Sequence, residues 1–155
     1  MTEEQNKTHH KFAVDCFNST WELIEKEHRT AEEDLEMIHT AHASRYHWGQ
    51  IGTWLEFQRG EWQISRVYSI LGQGEAALFH AEAGYKISKE NDMKPFDRAF
   101  ACEAMARAHH VLGNTRKRDI FVRETIAVAK EIGESIDRTY VWNELSSFVP
   151  EPPTD

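Results

Sequence analysis

The chain has 155 residues, long enough for one domain that buries roughly two thirds of the surface its unfolded form exposes, so no metal or disulfide staple is required. With 18 Lys and Arg against 26 Asp and Glu the formal charge is −8, which argues against a broad grip on nucleic acid or anionic lipid and leaves room only for a local basic pocket. Cys16 and Cys102 lie far apart, outside any CxxC spacing and with no secretory signal ahead of them, and no run of about 18 apolar residues occurs. A reduced, cytoplasmic setting without a membrane span follows as the expectation.

In chain order, "MTEEQNKTHH" (1–10) reads as a mobile polar tail. Phe12, Cys16, Phe17, Trp21 and Ile24 recur at helical spacing and predict a first helix ending near His28. "TAEE" at Thr30 has the form of a capping box and opens a second helix that runs to about Trp48, with Gly49 and Gly52 ending it. "TWLE" at Thr53 repeats the device for a third helix, which stops at Leu71 and Gly72. A fourth helix runs from about Glu75 to Lys89. Pro95 suits the first turn of a fifth, ending at Leu112 and Gly113. Arg116 to Ile132 makes a sixth and Ile136 to Phe148 a seventh, before a second mobile tail at 149–155. The expected domain is therefore 11–148.

These helices carry an internal period. Leu71-Gly72 recurs as Leu112-Gly113 and Trp21 as Trp62, each 41 residues on, while "FDRA" at Phe96 recurs as "IDRT" at Ile136, 40 on. Such a period signals stacked helical hairpins, each burying its apolar stripe against the next. Ile64, Ser65, Tyr68, Gly72 and Ala77 resemble a tetratricopeptide (TPR) unit. Met105, Ala106 and Gly113 follow it less closely, with His109 in place of the aromatic and Arg118 in place of Ala. The segments "AHASRYHWG", "GEWQISRVYSILG" and "AFACEAMARAHH" are similar to those of bacterial TPR-like proteins of unassigned activity. The resemblance covers about residues 54–133. It implies an all-α, TPR-like right-handed superhelix of three antiparallel hairpins plus a capping helix, and a cytoplasmic bacterial origin.

In a TPR-like stack the first helix of each pair lines the concave surface. By register, the resemblance puts Arg59, Trp62, Gln63, Arg66 and Ser69 of the third helix there, with Phe100, Glu103, Arg107 and His110 of the fifth. Helical geometry separately brings Glu103, Arg107 and His110 to one flank of an Ala-rich helix. Two readings of that flank stand. One is an internal Glu103 to Arg107 pair, with Trp62 and Arg66 stacked one turn apart. The other is a groove of three guanidinium forks and two aromatic rings that holds an acidic peptide, a chain-terminal carboxylate or a small anionic ligand.

"HTAHASRYHWG" (His39 to Gly49) raises a metal alternative. At about 100° per residue His39 and His42 approach one another, His42 lies on the apolar arc, and His47 points elsewhere, so the three cannot share one ion. His39 and His42 would need a further ligand such as His80, His109 or Glu103. An acid/base or metal-dependent enzyme built on His39, His42, Glu103 and His109 is thus a rival to the binding module. No Walker loop, nucleophile elbow or GxGxxG supports it, and no cofactor is expected. A second rival is self-association into a homo-oligomer through aromatic faces that include Trp54 and Trp142.

Overall fold

A computed structural model describes residues 1–151; residues 152–155, within the expected C-terminal tail, lie outside the described part. Seven helices make up the described residues: α1 (Glu3–Glu25), α2 (Ala31–Ile51), α3 (Trp54–Ile70), α4 (Gly74–Glu90), α5 (Pro95–Val111), α6 (Thr115–Ala129) and α7 (Ser135–Ser146). Successive helices pack on one another as hairpins α1/α2, α3/α4 and α5/α6, with α7 laid against α5 and α6. The odd-numbered helices form an inner row, in which α3 touches α5 and α5 touches α7.

Local chemistry sets the boundaries. Thr30 and Glu33 close the capping box that opens α2: each reaches the other's backbone N–H at 3.1 Å. At α3 the box is one-sided, because Glu56 accepts from both the Thr53 amide (2.8 Å) and its hydroxyl (2.6 Å). Residues 3–10, expected to be part of a tail, are the first turns of α1. "TEEQ" makes a third capping box there, with the Gln5 amide donating to Thr2 Oγ1 and the Thr2 amide to Gln5 Oε1. Helix α2 continues through Gly49 to Ile51, and Gly52 alone caps it. At the other end Phe148 and Val149 pack against the last core cluster, so the packed domain extends one residue into the expected tail.

The period is visible in three dimensions. Gly72 and Gly113 are the two positive-φ residues among the described ones, at 74° and 75°, and the amide just after each donates back into the helix it ends: Gln73 to the Tyr68 carbonyl and Asn114 to that of His109, both 2.9 Å. Tyr68 stacks on His80 and His109 stacks on Phe121, so the imidazole at 109 takes the place of the aromatic ring 41 residues earlier. The small residues allow close approach, as where Ser65 Oγ donates to the Ala77 carbonyl at 2.8 Å. The core is correspondingly serial. Met37, Ala41, Ile64 and Val67 join the first hairpin to the second. Trp62, Ala77, Ala81, Ala104, Met105 and Ala108 join the second to the third. Ala99, Ala129, Ile132, Val141, Trp142 and Leu145 seat α7. Each interface thus buries apolar surface that one hairpin alone would leave wet. Trp142, considered for self-association, is part of this core, whereas Trp54 is exposed.

Candidate functional site

The inner row carries one continuous side-chain spine. Trp21, Trp62, Glu103 and Glu144 sit at intervals of 41 residues on α1, α3, α5 and α7. Trp21 and Trp62 have ring centroids 5.6 Å apart, and Trp62 Nε1 donates to Glu103 Oε2 at 2.7 Å. Arg107 joins the last two members: its Nε donates to Glu103 Oε1 at 2.7 Å, and its Nη2 to both the backbone carbonyl and the carboxylate of Glu144 at 2.7 and 3.1 Å. Arg66, the repeat equivalent of Arg107, donates through Nε to Glu144 Oε2 at 3.1 Å.

Two guanidiniums and two carboxylates therefore balance. Glu103 is fully buried and Arg107 nearly so. Burial, reinforced by the neighbouring Arg107, pulls Arg66 below the ordinary arginine range, and Glu144 and Glu103 oppose this. The pairing is what makes these buried charges tolerable.

Beside the spine opens a cleft of about 250 Å³. Its wall takes Phe17 and Trp21 from α1, Gln58, Arg59 and Trp62 from α3, Phe96, Asp97 and Phe100 from α5, and Tyr140 and Glu144 from α7. Trp62 meets Phe100 edge to face at 5.4 Å, and Phe100 meets Phe96 in the same manner at 5.0 Å. Arg59 grips Asp97 with Nε at 2.8 Å and Nη2 at 3.3 Å. Its side chain is 49% exposed while that of Asp97 is buried. Gln58, also buried, donates from Nε2 to the Asp97 carbonyl at 3.3 Å.

The expected groove residues divide into three groups. Arg59, Trp62 and Phe100 line the cleft; Glu103, Arg66 and Arg107 lie in the ion network beside it. Gln63, Ser69 and His110 are elsewhere. Gln63 is fully buried and donates to the Phe17 carbonyl at 3.1 Å, which ties α3 to α1. Ser69 Oγ is buried without a partner. His110 is exposed, with its ring 5.4 Å from that of Phe148. The internal Glu103 to Arg107 pair is present. Stacking of Arg66 on Trp62 is replaced by Arg66 to Glu144, and of the three groove arginines it is Arg107 that covers a ring, Phe148 at 4.7 Å. A frankly cationic trough is thus absent, because Asp97, Glu103 and Glu144 neutralise the three arginines.

Phe17, Trp21, Gln58, Phe96, Asp97, Tyr140 and Glu144 were not anticipated. For Trp21 and Glu144 the signal was available, since extending the 41-residue interval one step either way from Trp62 and Glu103 reaches them.

Of the histidines of the opening stretch, His47 points away from His39 and His42, as expected. His39 is exposed, His42 Nε2 bonds the Tyr68 hydroxyl at 2.9 Å, and His47 Nδ1 meets His9 Nδ1 at 2.8 Å on the α1 side. His80 Nδ1 donates to Glu61 Oε2 at 2.9 Å. Glu103 bonds Trp62 and Arg107 while His109 lies on Phe121, so the enzymatic constellation is divided: His39 and His42 are together on α2, and Glu103 and His109 each have other partners. Among the described residues no group of three His, Cys, Asp or Glu side chains converges on a metal position.

No family model, curated protein or solved structure matches this chain.

Proposed function

We propose that this chain is a TPR-like binding module of the bacterial cytoplasm, acting through a protein or peptide partner and not as a catalyst. The observation that carries the reading is the cleft, to which every inner helix contributes and whose wall holds six aromatic rings. Its volume falls just below the roughly 300 to 1,000 Å³ of sites that swallow whole small molecules, which suits one bulky side chain of a partner. Aromatic walls supply contact area at low conformational cost. Two free thiols, Cys16 and Cys102, accord with a reducing compartment.

The acidic-ligand chemistry expected from the arginines narrows to Arg59. Arg66 and Arg107 are largely buried against Glu144 and Glu103 and do not line the cleft, whereas Arg59 lines it, is half exposed and holds Asp97 through Nε and Nη2, leaving Nη1 to a ligand. The reading is therefore an apolar side chain seated among the rings, with a neighbouring carbonyl or terminal carboxylate on Arg59.

Trp21 and Trp62 serve as reporters. Titrating short peptides that end in Phe or Leu, with a Gly-ending control, is expected to give a saturable change in tryptophan fluorescence for the apolar ends only. Tyr140→Ala, an exposed wall residue whose loss spares the core, is expected to weaken that change. Equal response to the Gly-ending control would overturn the reading.

A further inference from the structure

Gln58, one of the residues that line the cleft, has a buried side-chain oxygen, Oε1, without a hydrogen-bond partner. Its identity as an acceptor is fixed by its sister atom: the group facing the Asp97 carbonyl must donate, so it is the amide nitrogen, and the oxygen is left over. The charged wall groups are already matched, Arg59 with Asp97 and Glu144 with Arg66 and Arg107. A buried acceptor without a donor costs free energy that a ligand can recover.

The same pairings leave the cleft close to neutral, with three guanidiniums against three carboxylates around it. That balance disfavours a cation despite the aromatic cage. It favours a neutral, flat, apolar group bearing one N–H.

Building on the reading of the cleft as a side-chain pocket, we infer that its occupant is the indole of a partner's tryptophan, lying among the aromatic rings with its N–H donating to Gln58 Oε1. Indole is the one protein side chain that is flat, uncharged and donor-only. Phenylalanine would fill the same space and leave the glutamine oxygen orphaned; tyrosine offers a hydroxyl that must itself accept as well as donate. Discrimination by an unmet buried polar group exceeds that from shape alone, because the wrong ligand strands the acceptor.

The test uses four small probes on the full chain, followed by calorimetry and by the side-chain amide resonances of Gln58. N-acetyl-tryptophanamide is expected to bind roughly tenfold more tightly than its 1-methylindole analogue and than N-acetyl-phenylalaninamide. In Gln58→Met, of similar volume but without the acceptor, that gap is expected to close. Equal binding of the tryptophan and 1-methyl probes to the unaltered chain overturns the inference while leaving the apolar pocket standing. Failure of all aromatic probes to bind removes the pocket reading and the inference together. Free indole, the fourth probe, separates sources: affinity equal to that of N-acetyl-tryptophanamide would mean that the attached chain adds nothing and would overturn a partner's tryptophan as the occupant.

Discussion

His109 illustrates how a single residue departs from the chain's own repeat, in which Tyr68 stands 41 residues earlier, without changing the architecture. It lies nearly parallel to Phe121, 10° between planes, and is 5% exposed, with Nδ1 unpartnered. Burial, together with Lys117 and against Glu82, holds its imidazole below the ordinary value of about 6.5. Burial lowers His42 as well, assisted by His80 and His39 and opposed by Glu61, and His47 is lowered by burial and by His9. All three therefore take up a proton less readily in the fold than when it opens. Their contribution is complete above about pH 6.5 and is lost as the pH falls below that value through the folded-state pKa values, because the unfolded chain then binds more protons. Urea unfolding is accordingly expected to give lower stability at pH 5.5 than at pH 7, and His109→Phe to reduce that difference while keeping the stack on Phe121. An unchanged pH slope in the variant would remove His109 from this account. At this scale the sequence was a partial guide. It identified the position as an aromatic site occupied by histidine, but the ring partner on α6 is brought there only by the hairpin.

At the scale of the helix, the legible features were those whose chemistry acts within one turn. The boxes at Thr30 and Thr53, Pro95 at the start of α5, and the glycines at 72 and 113 all stand where the residue types require. The box at Thr2 is less legible, because the polar composition of residues 1–10 outweighs a four-residue motif. Gly72 and Gly113 occupy left-handed backbone, and a Cβ at either would meet no atom within 4 Å, so any penalty there is conformational and not steric crowding. Gly72→Ala and Gly113→Ala are each expected to cost about 1 to 2 kcal/mol. Gly133 is equally uncrowded but lies outside the positive-φ region, so Gly133→Ala is expected to be neutral or to gain up to about 1 kcal/mol from a less flexible unfolded chain. Thermal unfolding of the three variants side by side checks the contrast, and equal losses at all three positions would refute it.

Across the whole molecule, the spine couples helices that the serial core leaves loosely related. The apolar clusters join each hairpin only to its neighbour, whereas Arg66 of α3 reaches past α5 to Glu144 of α7, a carboxylate that Arg107 of α5 shares while holding Glu103 and, through it, Trp62. The pairings that decide the site, Arg66 with Glu144 across 78 residues and Arg59 with Asp97 across 38, were invisible in the sequence because each partner satisfies ordinary helix chemistry in its own segment. Only the superhelical stacking makes them neighbours. Glu103 is the spine's central acceptor, so Glu103→Leu leaves the Arg66 and Arg107 guanidiniums to share the single Glu144 carboxylate and strands the Trp62 N–H at once. The expected loss is about 3 to 5 kcal/mol, read as a lower urea midpoint with an unchanged slope. Adding Arg107→Met removes the surplus charge and leaves Arg66 paired with Glu144. The double variant is therefore expected to recover most of that loss, short of the roughly 1 to 3 kcal/mol owed to the unsatisfied indole N–H. A double variant no more stable than Glu103→Leu alone would mean that the pair itself, and not charge balance, holds α3, α5 and α7 together.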